Sequence, residues 1–392
     1  MPTNKPTKRQ PYLGRAFYAE RIAQIQRYLA SQDLEGLLLL SAPNINWATG
    51  FFHSPSERAL SFYIPAQGDC TFYVPFLEAE HVAGNGMGEV RWYWEYPGEV
   101  PAEIWMMQQI PAQRLAIDGT SAAMFPRLQA VKPLLRLDSQ VNIMRHIKSE
   151  PELQVTEWAA GYADFAVSVA RRAVAEQHRS GITEIEVVQI VKTETMAKIR
   201  EEVEDMPNSY PGGVGLTVHA GPRGAFPHGQ PGMTRIRPGD TLIVGVGAQV
   251  GGYHAESAAT FVVGQPTPDQ LHCLQAAWDC DQAAVDALRP GVPCEAVDEA
   301  ALAVLRDAGL GDAIRHRIGH GIGVQAHEAP WLSTGDKTLA QPGMVFSNEP
   351  GIYRPGVDGY RTISTMIVTP KGSRRLSRYL SQHGPDDRVI PA

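Results

Sequence analysis

Residues 319–330 read Gly319-His320-Gly321-Ile322-Gly323-Val324-Gln325-Ala326-His327-Glu328-Ala329-Pro330. Glycine beside a histidine lets the backbone come close to a ligand or a neighbouring strand. The same texture recurs in the carboxyl-terminal half, at Pro227-His228-Gly229, His254-Ala255-Glu256 and Asn348-Glu349-Pro350-Gly351. A lone histidine next to glycine is usually a hydrogen-bonded structural residue. Several such fragments in one region point to a site, because titratable groups on strands are costly to bury without purpose. Glycine- and proline-punctuated strands are expected over residues 235–261, 317–327, 344–353 and 361–368, with one helix-rich insert over 267–308. This half is α+β.

Working outward, Tyr18, Ile22, Ile25 and Leu29 share one face of a helix over residues 16–33. A buried strand at Leu37–Leu40 follows, then a loop over residues 41–44. Phe62-Tyr63-Ile64 and Thr71-Phe72-Tyr73-Val74 flank a turn and predict a hairpin. The alternation of helix and strand up to Leu115–Asp118 describes an α/β domain. A boundary falls at residues 147–152, where Ser149 can cap a long helix carrying Pro151 and Glu152 in its first turn. We divide the chain into 1–148 and 149–392. Gly181-Ile182-Thr183-Glu184 opens a second helix. Cys273 and Cys280, seven apart, belong on one buried helix face. Trp92-Tyr93-Trp94-Glu95-Tyr96 reads as a strand and interface patch.

The 392 residues are 43% hydrophobic and 20% charged, which excludes a disordered or collagen-like chain. The net charge of −7 argues against nucleic acid or an anionic membrane as the partner. No apolar run reaches the ~18 residues of a membrane span. No apolar segment follows Lys5, Lys8 and Arg9, so a secretory signal is not expected. Cys70, Cys273, Cys280 and Cys294 lack zinc or CxxC spacing and read as reduced, buried thiols of a cytoplasmic protein.

The string Phe226-Pro227-His228, Arg237-Pro238-Gly239-Asp240, Gly252-Tyr253-His254, Gly319–Gly323, His327–Pro330, Pro342–Val345, Asn348-Glu349-Pro350 and Gly359-Tyr360-Arg361 resembles the creatinase/prolidase (M24, pita-bread) superfamily. Asn44, Thr49-Gly50-Phe51 and Glu57-Arg58 resemble its creatinase-type amino-terminal domain. The resemblance implies an RNase H-like α/β amino-terminal domain and an α+β pita-bread domain. It also implies two divalent ions held by Asp, Asp, His, Glu and Glu. In this sequence those positions are Gly245, Glu256, His320, Glu349 and Ile363. Glycine and isoleucine offer no ligand, and two hard cations need several carboxylate oxygens. A dinuclear site is therefore not expected, although one weakly held ion could sit on Glu256, His320 and Glu349.

Creatinase, in the same superfamily, cleaves a C–N bond without metal. By that resemblance His228 is the general base, Glu349 and Glu256 anchor a cationic group, and His320 and His327 polarise the reacting carbon's substituent. Arg361 and Tyr253 are candidate substrate contacts. Phe51 and Arg58 are candidates to be lent across a homodimer interface. Ala258 and Ala259 replace residues of the creatinase pattern and argue against creatine. The first reading is a metal-independent hydrolase of a small amidine, guanidine, cyclic amide or imino-acid substrate, without cofactor. The alternatives are an Xaa-Pro peptidase with a degenerate one-metal site and a non-catalytic binding protein.

Overall fold

A computed structural model describes residues 7–94, 100–206 and 212–391. The chain divides into two compact units. One comprises Tyr12–Arg145 with Asp205 and Met206; the other comprises the residues up to Pro11, His146–Glu204 and the chain from residue 212 onward.

The first unit is a six-stranded mixed sheet. Its strands are β1 (Gly36–Leu39), β2 (Ser61–Pro65), β3 (Thr71–Pro75), β4 (Glu89–Tyr93), β5 (Leu115–Ile117) and β6 (Arg136–Leu137), in the order β4-β3-β2-β1-β5-β6. β2 and β3 form the predicted antiparallel hairpin, with Phe62 opposite Phe72. The first helix, Arg15–Ser31, buries Tyr18, Ile22, Ile25 and Leu29, as its periodicity requires. Residues 41–44 are not a loop but open the helix Ala42–Thr49. Pro43 lies in the first turn, where no N–H is missed, and Asp118 accepts from the Leu40 and Ser41 amides and from Asn44 Nδ2. Gly50, at φ 69°, ends that helix. Trp92 and Trp94 are exposed beside Phe76, while Tyr93 is buried; Glu95 and Tyr96 lie outside the described residues.

The second unit carries a nine-stranded sheet. Its path is β11 (Glu328–Leu332), β10 (Gly319–Gly321), β12 (Val345–Asn348), β15 (Ile363–Thr369), β9 (Tyr253–Val263), β8 (Thr241–Val250) and β7 (Gly212–Ala220). β16 (Gly372–Arg375) pairs with β15, and β17 (Val389–Ile390) runs parallel to β9. β13 (Gly351–Arg354) and β14 (Asp358–Arg361) form a separate hairpin. Of the strand expected over 317–327, only three residues are extended. The rest is turn, because β10 shifts register against β11 between His320 and Gly321. Ser149 and Glu152 form the capping box of the helix Glu150–Gln177, and Thr183 with Glu186 repeats it for Glu184–Glu202. The insert is two helices, Pro268–Ala287 and Cys294–Asp307. Cys273 and Cys280 are both fully buried in its core with Phe346 and Met366. All four cysteines are free and buried, and burial pushes the Cys70 and Cys294 thiols up to about 12. No helix among the described residues is long and apolar enough to cross a membrane.

Glu184, fully buried, ties this scaffold to the segment that carries His228. It accepts from the amides of Ala220 and Gly232, both at 2.9 Å, and from Arg223 Nε at 3.0 Å. Glu184→Ala leaves a guanidinium and two amides without their acceptor. We expect a loss of about 3 kcal/mol, read from the denaturant midpoint of unfolding; a loss below about 1 kcal/mol would mean the segment is held by other contacts.

Candidate active site

Strands β8, β9, β10, β14 and β15 converge on the site with the non-strand segments that carry His228, His327 and Glu349. His320 is fully buried on β10. Backbone carbonyls crowd Gly319 and Gly321 so closely that neither position has room for a Cβ, which explains the glycines on either side of the histidine. The His320 Nδ1–H donates to the Gly321 carbonyl at 3.0 Å. Nε2 therefore faces inward, 3.1 Å from Glu349 Oε1 and 3.8 Å from Glu256 Oε2, without an aligned hydrogen bond. The His327 ring lies 4.1 Å from that of His320, centroid to centroid.

Behind the site, buried Asp281 holds the strands bearing Glu349 and Ile363. Asn348 Nδ2 donates to Asp281 Oδ1 at 2.7 Å and Ser364 Oγ at 2.6 Å, while Arg375 neutralises the other oxygen. His228 sits on the loop after β7, exposed, between two pinned carbonyls. Pro227 O accepts from Arg361 Nη1 at 3.2 Å and Gly229 O from His219 Nε2 at 2.6 Å. Two adjoining cavities of about 850 and 330 Å³ share His228, His327, Glu349 and Arg361 on their walls. Arg315, His316 and Arg317 line the larger; Gly245, Glu256 and Ile363 line the smaller.

Electrostatics divide the two carboxylates. Burial raises the Glu256 carboxyl, reinforced by the Glu349 charge, and Ser347 Oγ donates to its Oε2. Burial also works against ionised Glu349, but His320 overrides it and holds this carboxyl down to about 2. Burial disfavours the His320 imidazolium, yet Glu349 and Glu256 together raise its pKa. Burial and the His320 charge lower that of His327. Carboxylates pushed in opposite directions can play different parts in acid–base chemistry.

The structure brings together His228, His320, His327, Glu349, Glu256 and Arg361, and separates the other candidates from them. Tyr253 lines neither cavity. It is 2% exposed, and its hydroxyl donates to Glu152 Oε1 at 2.9 Å, so it braces a helix and contacts no substrate. His254 bonds the Gly323 carbonyl through Nδ1 and is structural. Phe51 is buried among Phe72, His53 and His81 in the core of the amino-terminal unit, which removes it as a substrate contact. Arg58 pairs with Glu57 and lines a cavity of that unit. Glu328 is structural, paired with buried Lys148 at 2.8 Å. Sequence reading missed Glu184, Asp281 and Arg317: an isolated Glu, Asp or Arg carries no local pattern.

The donor set decides the metal question. Gly245 and Ile363 bring no oxygen, so the residues present do not fit two ions. His320, His327 and Glu349 each offer a donor atom, all within 4.8 Å of one another, and this His/His/Glu set fits one divalent ion. Among the described residues His327, rather than Glu256, completes that cluster.

The model of metallopeptidase family M24 matches residues 162–370, and that of the Creatinase/Prolidase N-terminal domain matches residues 21–147. The chain belongs to family M24. It is 28% identical to an Xaa-Pro dipeptidase of Pyrococcus furiosus, over 92% of this chain and 98% of that protein. It is 30% identical to an Xaa-Pro dipeptidase of Lactobacillus delbrueckii subsp. lactis, over 89% and 94%. The crystal structure of dipeptidase PepE from Mycobacterium ulcerans superposes with a TM-score of 0.83 at 28% identity, covering 97% of this chain and all of that one. This M24 member therefore has a creatinase-type amino-terminal domain followed by a pita-bread domain, as the motifs implied.

The Glu349–His320 pair makes stability depend on pH with a definite sign. Glu349, lowered from 4.5 to about 2, contributes stability that is present above pH 4.5 and lost as pH falls toward about 2. His320, raised from 6.5, contributes stability that is full below 6.5 and lost as pH rises through its folded value. The melting-temperature difference between wild type and Glu349→Gln should peak between pH 4.5 and 6.5 and shrink on both sides. A difference that is flat with pH would show that no such pair forms.

Proposed function

We propose that this M24 member hydrolyses a C–N bond of a small dipeptide-class substrate, as a variant of the Xaa-Pro dipeptidases with a site for at most one divalent ion. One observation carries the reading: His320, His327 and Glu349 converge on one point, whereas Gly245 and Ile363 leave the other half of the family's ligand set without donors. Its relatives named as dipeptidases and Xaa-Pro dipeptidases, and the 850 Å³ cavity, support a small peptide over a protein substrate.

An ion held by His320, His327 and Glu349 would supply a Lewis acid and a more acidic water. The chain's own residues do the rest. His228 stands free at the cavity wall, where it can take a proton from the attacking water and return it to the leaving nitrogen. Glu256, inclined to keep its proton, can donate a hydrogen bond to an oxygen that gains negative charge. Glu349, held ionised, fixes the His320 imidazole.

A second reading, hydrolysis of a small amide or amidine without metal, draws support from a guanidinium standing against Gly245. Metal analysis of the purified protein with turnover of Xaa-Pro dipeptides separates the two. At most one Mn, Zn or Fe per chain, with activity lost to a chelator, supports the first. Metal-free protein with chelator-indifferent turnover supports the second. Two fully occupied ions per chain would overturn both. His228→Ala should lower kcat by about 10²- to 10⁴-fold with the fold intact, and a drop under about tenfold removes it from the proton transfer.

A further inference from the structure

Gly245, Ala258 and Ile363 form one row across β8, β9 and β15. None carries a polar side-chain atom, so this wall has nothing with which to hold a cation. The space in front of it is filled instead by Arg361: a Cβ added at Gly245 would lie 2.8 Å from Arg361 Nη2. The arginine is fixed at its backbone, where its amide donates to Thr260 Oγ1 at 2.8 Å and its carbonyl accepts from the same hydroxyl at 3.0 Å.

Arg361 is 6% exposed, yet no carboxylate pairs with it among the described residues. Nη1 donates to the Pro227 carbonyl, the neutral Tyr353 hydroxyl also interacts with the guanidinium, and Nε has no partner. That leaves the Nε–Nη2 edge, the geometry that grips a planar carboxylate with two parallel hydrogen bonds, without an anion. Glu349 and Glu256 act on this guanidinium only from beyond ion-pair distance, and a buried guanidinium without a bonded carboxylate is costly unless a ligand supplies one. The cavity repeats the pattern. Arg317, stacked over Trp331 with Nε on the Gly319 carbonyl, also lines it without a carboxylate, and Glu349 is the only acid among its lining residues.

We propose that Arg361 is the receptor for a carboxylate of the substrate, so that the charge of this half of the site is inverted. Where the family's ligand pattern gathers acids around a cation, this chain presents a fixed cation to an anion. The inference rests on the reading of the cavity as a small-substrate site, but its test needs no turnover and so fails or stands independently of peptidase activity.

The probe is N-acetyl-L-proline, compared with its neutral amide by calorimetry and thermal shift, with and without a chelator. The acid should bind at least about tenfold tighter than the amide, and a chelator should not abolish the difference. Arg361→Met should erase that preference. Gly245→Asp should also erase it while keeping the arginine, because the new carboxylate lies against the guanidinium and neutralises it in place. Arg361→Lys should retain part of the preference. Equal binding of acid and amide, no binding of the acid by wild type, or an unchanged preference in folded Gly245→Asp would each overturn the assignment.

Discussion

The site depends on charge held by side chains that are mostly buried. A buried imidazole faces two carboxylates at 3.1 and 3.8 Å, and a buried guanidinium stands across from them with no carboxylate of its own. Each group would be unstable alone, since burial works against every one of these charges. Together they settle into an unequal arrangement: Glu349 stays ionised, Glu256 tends to keep its proton, and His320 gains basicity from both. The chemistry open to the cavity follows from that imbalance more than from any one residue.

Holding such groups in place requires a hydrogen-bonded polar scaffold. Asp281 ties Asn348 and Ser364 to the helix behind the sheet, so the strands bearing Glu349 and Ile363 keep a fixed separation. Glu184 does the same for the segment before His228, and Thr260 clamps the backbone of Arg361 from both sides. Half-satisfied networks of this kind would be worse than an apolar core. The bonds that Asp281, Glu184 and Thr260 do make hold the backbone around the site in place while the functional groups stay incompletely paired.

Membership of family M24 gives the frame and leaves the chemistry to the substitutions. The sheet that positions a five-ligand site in the family pattern is intact here, down to the pairing of Gly245 with Ala258 and of Ala258 with Ile363. What changed is the charge of the side chains on it. Gly245, Ala258 and Ile363 bring no carboxylate to this half of the site, and the guanidinium of Arg361 lies directly against Gly245.

The sequence by itself determined the elements whose cause is local. The helix 15–31 follows from its apolar spacing, the capping boxes at Ser149 and Thr183 from residues three apart, and the shared burial of Cys273 and Cys280 from their seven-residue step. The His and Glu fragments were legible as a set because glycines flank them, and the resemblance to the M24 pattern marked 245 and 363 as ligand positions where glycine and isoleucine offer no donor. The tertiary structure alone decided what depends on contacts between distant segments. It turned residues 42–49 into a helix around Asp118, committed Tyr253 to Glu152, and sank Phe51 into an aromatic core. It chose His327 over Glu256 for the donor cluster and laid Arg361 against Gly245. Spacing along the chain says which face of a strand a side chain occupies, whereas its partner is set by the register between strands and by the charge that burial leaves unpaired.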